Sequence, residues 1–202
     1  MSCQKDEVRE FTHYDINMSV DPAEQYIEVD CYLDLTPGTT GDTIYFYLHR
    51  QLEIENLTVN GKKALIISQD TSDIRYMPEA TRYALKIEQS ENKSTALHLN
   101  YSGRITEWNK WSASVIGEEW TEMGLYFPWY PYNPAFSPLT YKVRVEHDQK
   151  YQTFMIGDKT TEEGFSIYRT SGPGNDLVLC MSEELKIISR EIEGYNLNIA
   201  HT

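Results

Sequence analysis

A long alternation of apolar and polar residues near the start of the chain restricts its fold more than any other feature. Apolar side chains occupy every second position of residues 14–20, and again of residues 27–35, with the turn residues Asp21-Pro22 between the two runs. Successive side chains of a β-strand point to opposite faces, whereas a helix repeats every 3.6 residues. The period of two therefore predicts two strands, each with one buried face.

The rest of the chain continues as short apolar runs separated by glycine, proline and asparagine. Leu52–Val59 and Lys62–Ser68 flank Asn60-Gly61, a dipeptide that favours the tight turn of a β-hairpin. Residues 116–124 are the best candidate for a helical turn or a structured loop. Many short strands joined by turns predict an all-β fold, a twisted antiparallel β-sandwich with little helix. Further strands are expected at 43–49, 82–88, 95–101, 139–147, 153–156, 164–170, 176–181 and 185–192.

Length and charge restrict the organisation and the partners. We assign residues 1–11 to a flexible N-terminal tether and residues 12–202 to a single β-sandwich domain, because no change in composition marks a linker. The formal net charge of −13 argues against a nucleic-acid partner, since binding to phosphates requires a cationic face.

The three cysteines differ in their surroundings. Cys3 stands beside a small residue and is followed by polar and acidic residues, which resembles the mature start of a bacterial lipoprotein; the alternative is an incidental cysteine in a flexible terminus. Lipidation of Cys3 would tether the chain to a membrane, so we expect an outer-membrane or surface lipoprotein of the cell envelope, or otherwise a periplasmic or extracellular protein. Cys31 continues an apolar alternation and is expected in the core, while a disulfide between Cys31 and Cys180 stays open.

No recognisable catalytic motif occurs in the sequence. Neither HExxH nor GxSxG nor a phosphate-binding loop is present, and the cysteines form no CxxC pair. Glu118, Glu119 and Glu122 lie close together, and such carboxylates serve either acid–base chemistry or a solvated acidic loop. The sequence "LYFPWYPYNP" at 125–134 follows them, and its prolines exclude an ordinary strand.

Four pieces of the chain, in order, resemble the N-terminal domain of the M1 family of zinc aminopeptidases, the gluzincins related to leukotriene A4 hydrolase. They are "HYDINMSVDPAEQYIEVDCYLDL", "YLHRQLEIENLTVNGK", "ALHLNYSGRI" and "WYPYNPAFSPLTYKVRVEHDQKYQTFMIGD". The resemblance implies a saddle-like β-sandwich that packs on its own C-terminal catalytic domain. That domain would hold the zinc and cleave the peptide substrate, so this chain would be a non-catalytic part of a metallopeptidase, or a relative that has lost its enzyme.

The same resemblance implies one contribution to substrate binding. In the family, a glutamine or glutamate just before the aromatic-proline stretch binds the free α-amine of the substrate. Matching Trp129-Tyr130-Pro131 to that stretch assigns the role to Glu122, and matching Pro128 instead assigns it to Glu119. The aromatic side chains that would then pack at the domain interface are Tyr126, Phe127, Trp129, Tyr130 and Tyr132.

A second reading belongs to a different class of protein. Exposed tryptophan and tyrosine side chains between residues 108 and 132 would make the chain a free-standing binding module of a surface lipoprotein. Such rings stack on the sugar rings of a glycan or bury against a protein partner.

Overall fold

A computed structural model describes residues 11–36, 42–87, 94–108, 113–124, 126–162, 164–170, 172–192 and 195–201. The predicted all-β class is confirmed: these residues form strands and one short 3-10 helix, Pro134–Phe136. The strands are β1 (Thr12–Asp21), β2 (Tyr26–Leu35), β3 (Thr43–His49), β4 (Glu53–Val59), β5 (Lys62–Lys63), β6 (Leu65–Thr71), β7 (Ala80–Lys86), β8 (Thr95–Arg104), β9 (Thr121–Met123), β10 (Leu139–Glu146), β11 (Gln152–Phe154), β12 (Asp158–Glu162), β13 (Phe165–Arg169), β14 (Leu179–Ser182), β15 (Lys186–Ile192) and β16 (Tyr195–His201).

The largest sheet has eight strands in the order β12-β13-β10-β1-β2-β8-β4-β5. Strand β1 lies inside this sheet and pairs antiparallel with β2, with Tyr14 opposite Leu33. On its other side β1 pairs with β10 in parallel, from Thr12 opposite Leu139 to Ser19 opposite Glu146. The sheet therefore contains one parallel pair, β1 with β10, among antiparallel pairs.

The alternation read from the sequence sorts the first strands into two faces as predicted. Tyr14, Ile16, Met18 and Val20 are all buried, whereas the intervening side chains of β1 are partly exposed. Cys31 is fully buried among the apolar residues of β2, as expected for a small core residue. Both Cys31 and Cys180 are free thiols, so the open question of a disulfide is answered in the negative for this structure.

Three smaller sheets accompany the large one. They have the orders β3-β7-β6, β11-β14-β9 and β15-β16. The first two place apolar side chains in the same core as the large sheet, including Phe46 and Leu85 from one and Met123 and Leu179 from the other. The core thus lies between the large sheet and the two three-stranded sheets, as in a sandwich.

The predicted hairpin across Asn60-Gly61 is present but short. Both residues have positive φ, 51° and 74°, as a tight hairpin turn requires, and β4 pairs with β5 through Val59 opposite Lys62. The predicted second strand, 62–68, is divided at Ala64, whose N–H donates to the carbonyl of Leu57 at 3.0 Å. Beyond this point β6 leaves the large sheet and pairs with β7.

Of the two alternatives for residues 116–124, the helical turn is wrong, and the loop holds for residues 116–120. Residues 121–123 form β9, which pairs with β14 and is too short for its alternation to be recognised in the sequence. Strand β12 was also missed, because all five of its side chains are exposed and carry no apolar pattern.

The predictions for the N-terminus lie outside the described residues. Cys3 and residues 1–10 of the proposed tether belong to that part, so lipidation stays a prediction. Among the residues that the structure describes, no helix is long and apolar enough to cross a membrane.

Candidate functional site

The aromatic-proline segment, residues 126–134, forms part of the core of the chain. Phe127, Trp129, Tyr130 and Tyr132 keep at most 7% of their surface exposed, and Trp129 and Tyr130 keep none. Rings of this size bury large apolar areas and therefore contribute strongly to folding. Four of the five rings expected at a domain interface are thus packed inside this domain, which corrects that prediction for them.

Backbone groups of this segment find partners other than a continuous strand ladder. The Tyr101 hydroxyl donates to the carbonyl of Trp129 at 2.9 Å, and the Tyr14 hydroxyl donates to that of Pro131 at 2.8 Å. Buried carbonyl groups without a partner would destabilise the fold, so two tyrosines of the large sheet replace the missing ladder bonds.

The segment is also attached to the sheet that contains β3. Tyr132 and Tyr47 exchange two backbone hydrogen bonds of 3.0 and 2.8 Å, and the His49 N–H donates to the carbonyl of Pro128 at 2.8 Å. The Trp129 indole N–H donates to the carbonyl of Leu177 at 3.1 Å. The segment therefore links the large sheet, β3 and the loop before β14.

Tyr126 is the exception among the predicted interface aromatics. It is 48% exposed, and its ring makes an edge-to-face contact with that of Tyr76, which is also exposed, at a centroid distance of 5.5 Å. Tyr126 is therefore the member of the set whose ring is accessible to a partner surface.

Glu122 lies in the middle of β9, four residues before Tyr126. It pairs with Cys180 of β14 on one side and forms an isolated bridge with Val115 on the other. Its carboxylate accepts a hydrogen bond from the Trp120 indole N–H at 3.3 Å. Neighbouring strands therefore fix the backbone of Glu122, and the indole orients its carboxylate.

The row across this small sheet is half-buried and largely apolar. Val115, Glu122, Cys180 and Phe154 follow one another in register, and each of them is partly exposed. Burial and, to a smaller extent, the nearby Glu122 carboxylate together raise the pKa of the Cys180 thiol to about 11. A carboxylate in such surroundings is suited to bind a cationic group that approaches from the open side.

Glu119, the other amine-binding candidate, has a different setting. Its side chain is exposed, and its backbone carbonyl accepts a hydrogen bond from the Ser182 hydroxyl at 2.8 Å. It lines an open groove of about 520 Å³ beside Glu118 and Trp120. The structure thus fixes the carboxylate of Glu122 through Trp120, whereas it fixes only the main chain of Glu119.

Among the residues that the structure describes, no group of three or more His, Cys, Asp and Glu residues could hold a metal ion. Glu118 and Glu119 are exposed, whereas Glu122 is partly exposed and lies in β9, which pairs with β14.

His49 is buried against the aromatic segment, and its burial makes the stability of the fold depend on pH. The centroid of its ring lies 4.9 Å from that of Phe127. Its Nδ1 accepts a hydrogen bond from the Gln51 N–H at 3.3 Å. The proton of the neutral ring is therefore on Nε2, which donates to the carbonyl of Glu107 at 3.1 Å. These bonds fit the neutral ring. Burial lowers the pKa of His49 to about 4, and the hydrogen bond to Glu107 opposes this effect only partly.

The sign of the pH effect follows from the lowered pKa. Below pH about 6.5 the unfolded chain binds a proton at this histidine and the folded chain does not, so stability falls as the pH decreases from there towards 4. We expect a loss of about 3 kcal/mol over this range, measured by urea unfolding at several pH values. The variant His49→Gln should lack this part of the pH dependence, while His201→Gln, an exposed control, should retain it.

Solved structures share this fold. An M1 zinc metallopeptidase from Deinococcus radiodurans superposes with a TM-score of 0.67 at 15% identity, over 95% of this chain and 47% of that one. A two-domain M1 zinc metallopeptidase mutant bound to L-arginine gives 0.64 at 15%, over 95% and 48%. Yeast LTA4 hydrolase in complex with bestatin gives 0.58 at 12%, over 87% and 29%. The sequence matches no protein-family model and no curated protein.

These likenesses define the fold. The chain spans about half the length of the Deinococcus peptidase and has the fold of the corresponding part of that protein. The resemblance read from the sequence is therefore confirmed at the level of the fold, and the extent of the match is consistent with an N-terminal domain.

Proposed function

We propose that this chain is the non-catalytic N-terminal domain of an M1-like zinc metallopeptidase and packs on a downstream catalytic domain. The observation that carries the proposal is the match of 95% of this chain to about half of a solved M1 peptidase. On this proposal the zinc and the hydrolytic groups belong to the other domain, and the substrate is a peptide. Residues 12–202 act as one unit.

Glu122 is proposed to bind the free amino terminus of the peptide. Three features support this role: its backbone is held between β14 and Val115, its carboxylate is oriented by Trp120, and its surroundings are partly desolvated. A charge-assisted hydrogen bond from an ammonium group is stronger than a neutral one and gains further where water is excluded. Glu119 has neither the indole contact nor the half-buried position.

The alternative, a free-standing glycan- or protein-binding module, receives less support. A binding module of this kind needs exposed aromatic rings to contact its ligand. Trp129, Tyr130 and Tyr132 are buried in the core and do not meet this requirement. Among the described residues, Tyr126 and Tyr76 form an exposed pair, and Trp108 and Trp120 are only partly exposed. Attachment to the cell envelope through Cys3 remains a proposal that rests on the sequence of the first ten residues.

The test uses the full-length gene product. The reading frame beyond Thr202 should encode HExxH followed by a more distant glutamate, and the purified protein should cleave aminoacyl-fluorophore substrates. Glu122→Gln should then raise KM for free-amine substrates about tenfold to a hundredfold, which corresponds to the loss of one charge-assisted bond. The matched variant Glu119→Gln should leave KM near the value of the unmodified protein.

Two results would contradict parts of this proposal separately. A reading frame that ends without a zinc motif would exclude the peptidase domain as partner. An active peptidase in which Glu122→Gln and Glu119→Gln behave alike would retain the domain assignment but exclude the specific role of Glu122.

A further inference from the structure

A row of polar side chains crosses the outer face of the large sheet. Its members lie opposite one another in register on β10, β1, β2, β8 and β4, and they are Arg144, Asn17, Asp30, Asn100 and Asn56. Because adjacent strands are separated by about 4.8 Å, the row is about 19 Å long. Asn56 is exposed, the other four are partly exposed, and all five line an open groove of about 560 Å³.

The composition of this row is unusual for the interior of a sheet. Asparagine and aspartate are depleted in β-strands, yet they occupy the same row on four neighbouring strands, β1, β2, β8 and β4. Threonine or another β-branched residue would suit a strand better at these positions. Residues that break a local preference without an evident gain in stability are expected at functional sites. The row therefore indicates a binding surface.

Hydrogen bonds hold the centre of the row in place. The Asn56 amide donates to the side-chain oxygen of Asn100 at 3.2 Å, and the Asn100 amide donates to the Asp30 carboxylate at 2.9 Å. At one end of the row, the guanidinium carbon of Arg144 lies 3.2 Å from the centroid of the Phe165 ring. These polar groups are preorganised, which lowers the entropic cost of binding a ligand.

An aromatic pair borders the row. Tyr32 follows Asp30 by two residues on β2 and therefore lies on the same face of the sheet. Its ring stacks on that of His98 at a centroid distance of 3.9 Å and an angle of 7°, and His98 Nε2 is in turn bonded to the Asp30 carboxylate. Tyr32 is 49% exposed. The groove thus has a fixed, half-exposed aromatic ring beside its hydrogen-bonding groups, and such a ring offers apolar contact area at low entropic cost.

The charges and the polarity of the groove disfavour three classes of ligand. The acidic side chains that line it are Glu28, Asp30, Glu55 and Glu146, which repel a polyanion. Arg144 is the cation among the described residues of the lining, and it disfavours a polycation. Phe165, the partly exposed apolar side chain of the lining, lies under Arg144, so the groove offers little surface to a lipid or an apolar helix.

We infer that this groove binds a neutral oligosaccharide, laid along the row with one sugar ring against Tyr32. Sugar hydroxyls both donate and accept hydrogen bonds, and the row supplies a pure donor in Arg144, a pure acceptor in Asp30 and amides that do both. The ligand class is the one considered for the aromatic segment, but the residues are different and lie on the outer face of the large sheet. The inference does not depend on the proposed peptidase function.

Titration calorimetry of the full chain with cellohexaose, xylohexaose, mannohexaose and maltohexaose tests the inference. We expect at least one of these neutral hexasaccharides to bind in the micromolar to millimolar range, and a heparin hexasaccharide and pentalysine not to bind. Asn17→Ala should weaken binding by about tenfold, because it removes ligand contacts and leaves the bonds between Asn100 and Asp30 intact. Tyr32→Ala should weaken it by about tenfold through the loss of the ring contact.

Two matched substitutions outside the groove serve as controls. Asn198 is an exposed asparagine of β16, and Tyr45 is a tyrosine of β3 that is 39% exposed. Asn198→Ala and Tyr45→Ala should leave the affinity unchanged, and thermal melting should show that all four variants are folded. Failure of all four hexasaccharides to bind at millimolar concentration would overturn the inference. Preferential binding of heparin or pentalysine, or equal losses in the groove variants and the controls, would also overturn it.

Discussion

Replacing Trp129 by alanine is expected to lower the free energy of unfolding by about 4 kcal/mol, as measured by urea denaturation. The side chain is fully buried, and its indole N–H donates to the carbonyl of Leu177. The substitution therefore removes a large apolar surface, leaves a cavity and deprives a backbone carbonyl of its donor.

Tyr126→Ala is the matched control from the same segment. Its ring is about half exposed, so we expect a loss of about 1 kcal/mol or less. Equal effects of the two substitutions would show that Trp129 is not a core residue, and would restore the aromatic segment as a candidate ligand platform.

Gly157→Ala is expected to be nearly as destabilising. This glycine connects β11 and β12 at φ +117°, a backbone conformation that side chains rarely tolerate. A Cβ at this position would lie 2.3 Å from the carbonyl oxygen of Arg169, and that oxygen belongs to a strand of the large sheet. Strain and overlap together should cost about 3 kcal/mol or more.

Gly164→Ala separates the two contributions. Its φ is also positive, +80°, but no atom lies within 4 Å of the added Cβ. We expect a loss of about 1–2 kcal/mol from the backbone conformation alone. If thermal or urea unfolding gave the same loss for both variants, close approach of the Arg169 carbonyl would have no energetic role.

The sequence predicts β1 and β2 from their long alternation, but it does not predict β9, β12 or β16, although Tyr195, Leu197 and Ile199 alternate along β16. Strands β1 and β2 are recognisable because one face of each is buried in the core. Strand β12 is exposed along its whole length, and β9 has only three residues, so neither carries a periodic pattern. The parallel pairing of β1 with β10 cannot be predicted from the sequence either, because it joins residues 127 positions apart and has no local sequence signal.

The candidate site was predicted in part. The position of Glu122 just before the aromatic segment could be read from the sequence, but its strand partners Cys180 and Val115 are set by long-range pairing. The sequence also does not show that the aromatic rings are buried, because their burial likewise depends on long-range packing. The chain has 15 tyrosines, and only the fold shows that Tyr14 and Tyr101 supply donors to the proline-interrupted backbone. A tyrosine that donates to a distant backbone carbonyl is not marked by any sequence motif.

The parallel pair between β1 and β10 also affects the order in which the chain can fold during synthesis. Strand β1 leaves the ribosome first and can form a hairpin with β2, but one of its edges must wait until Leu139–Glu146 has been made. Contacts at such long sequence separation slow folding and leave apolar surface exposed in the meantime. Nascent chains that stop before Leu139 should therefore bind chaperones, and release should coincide with the emergence of β10 and β13.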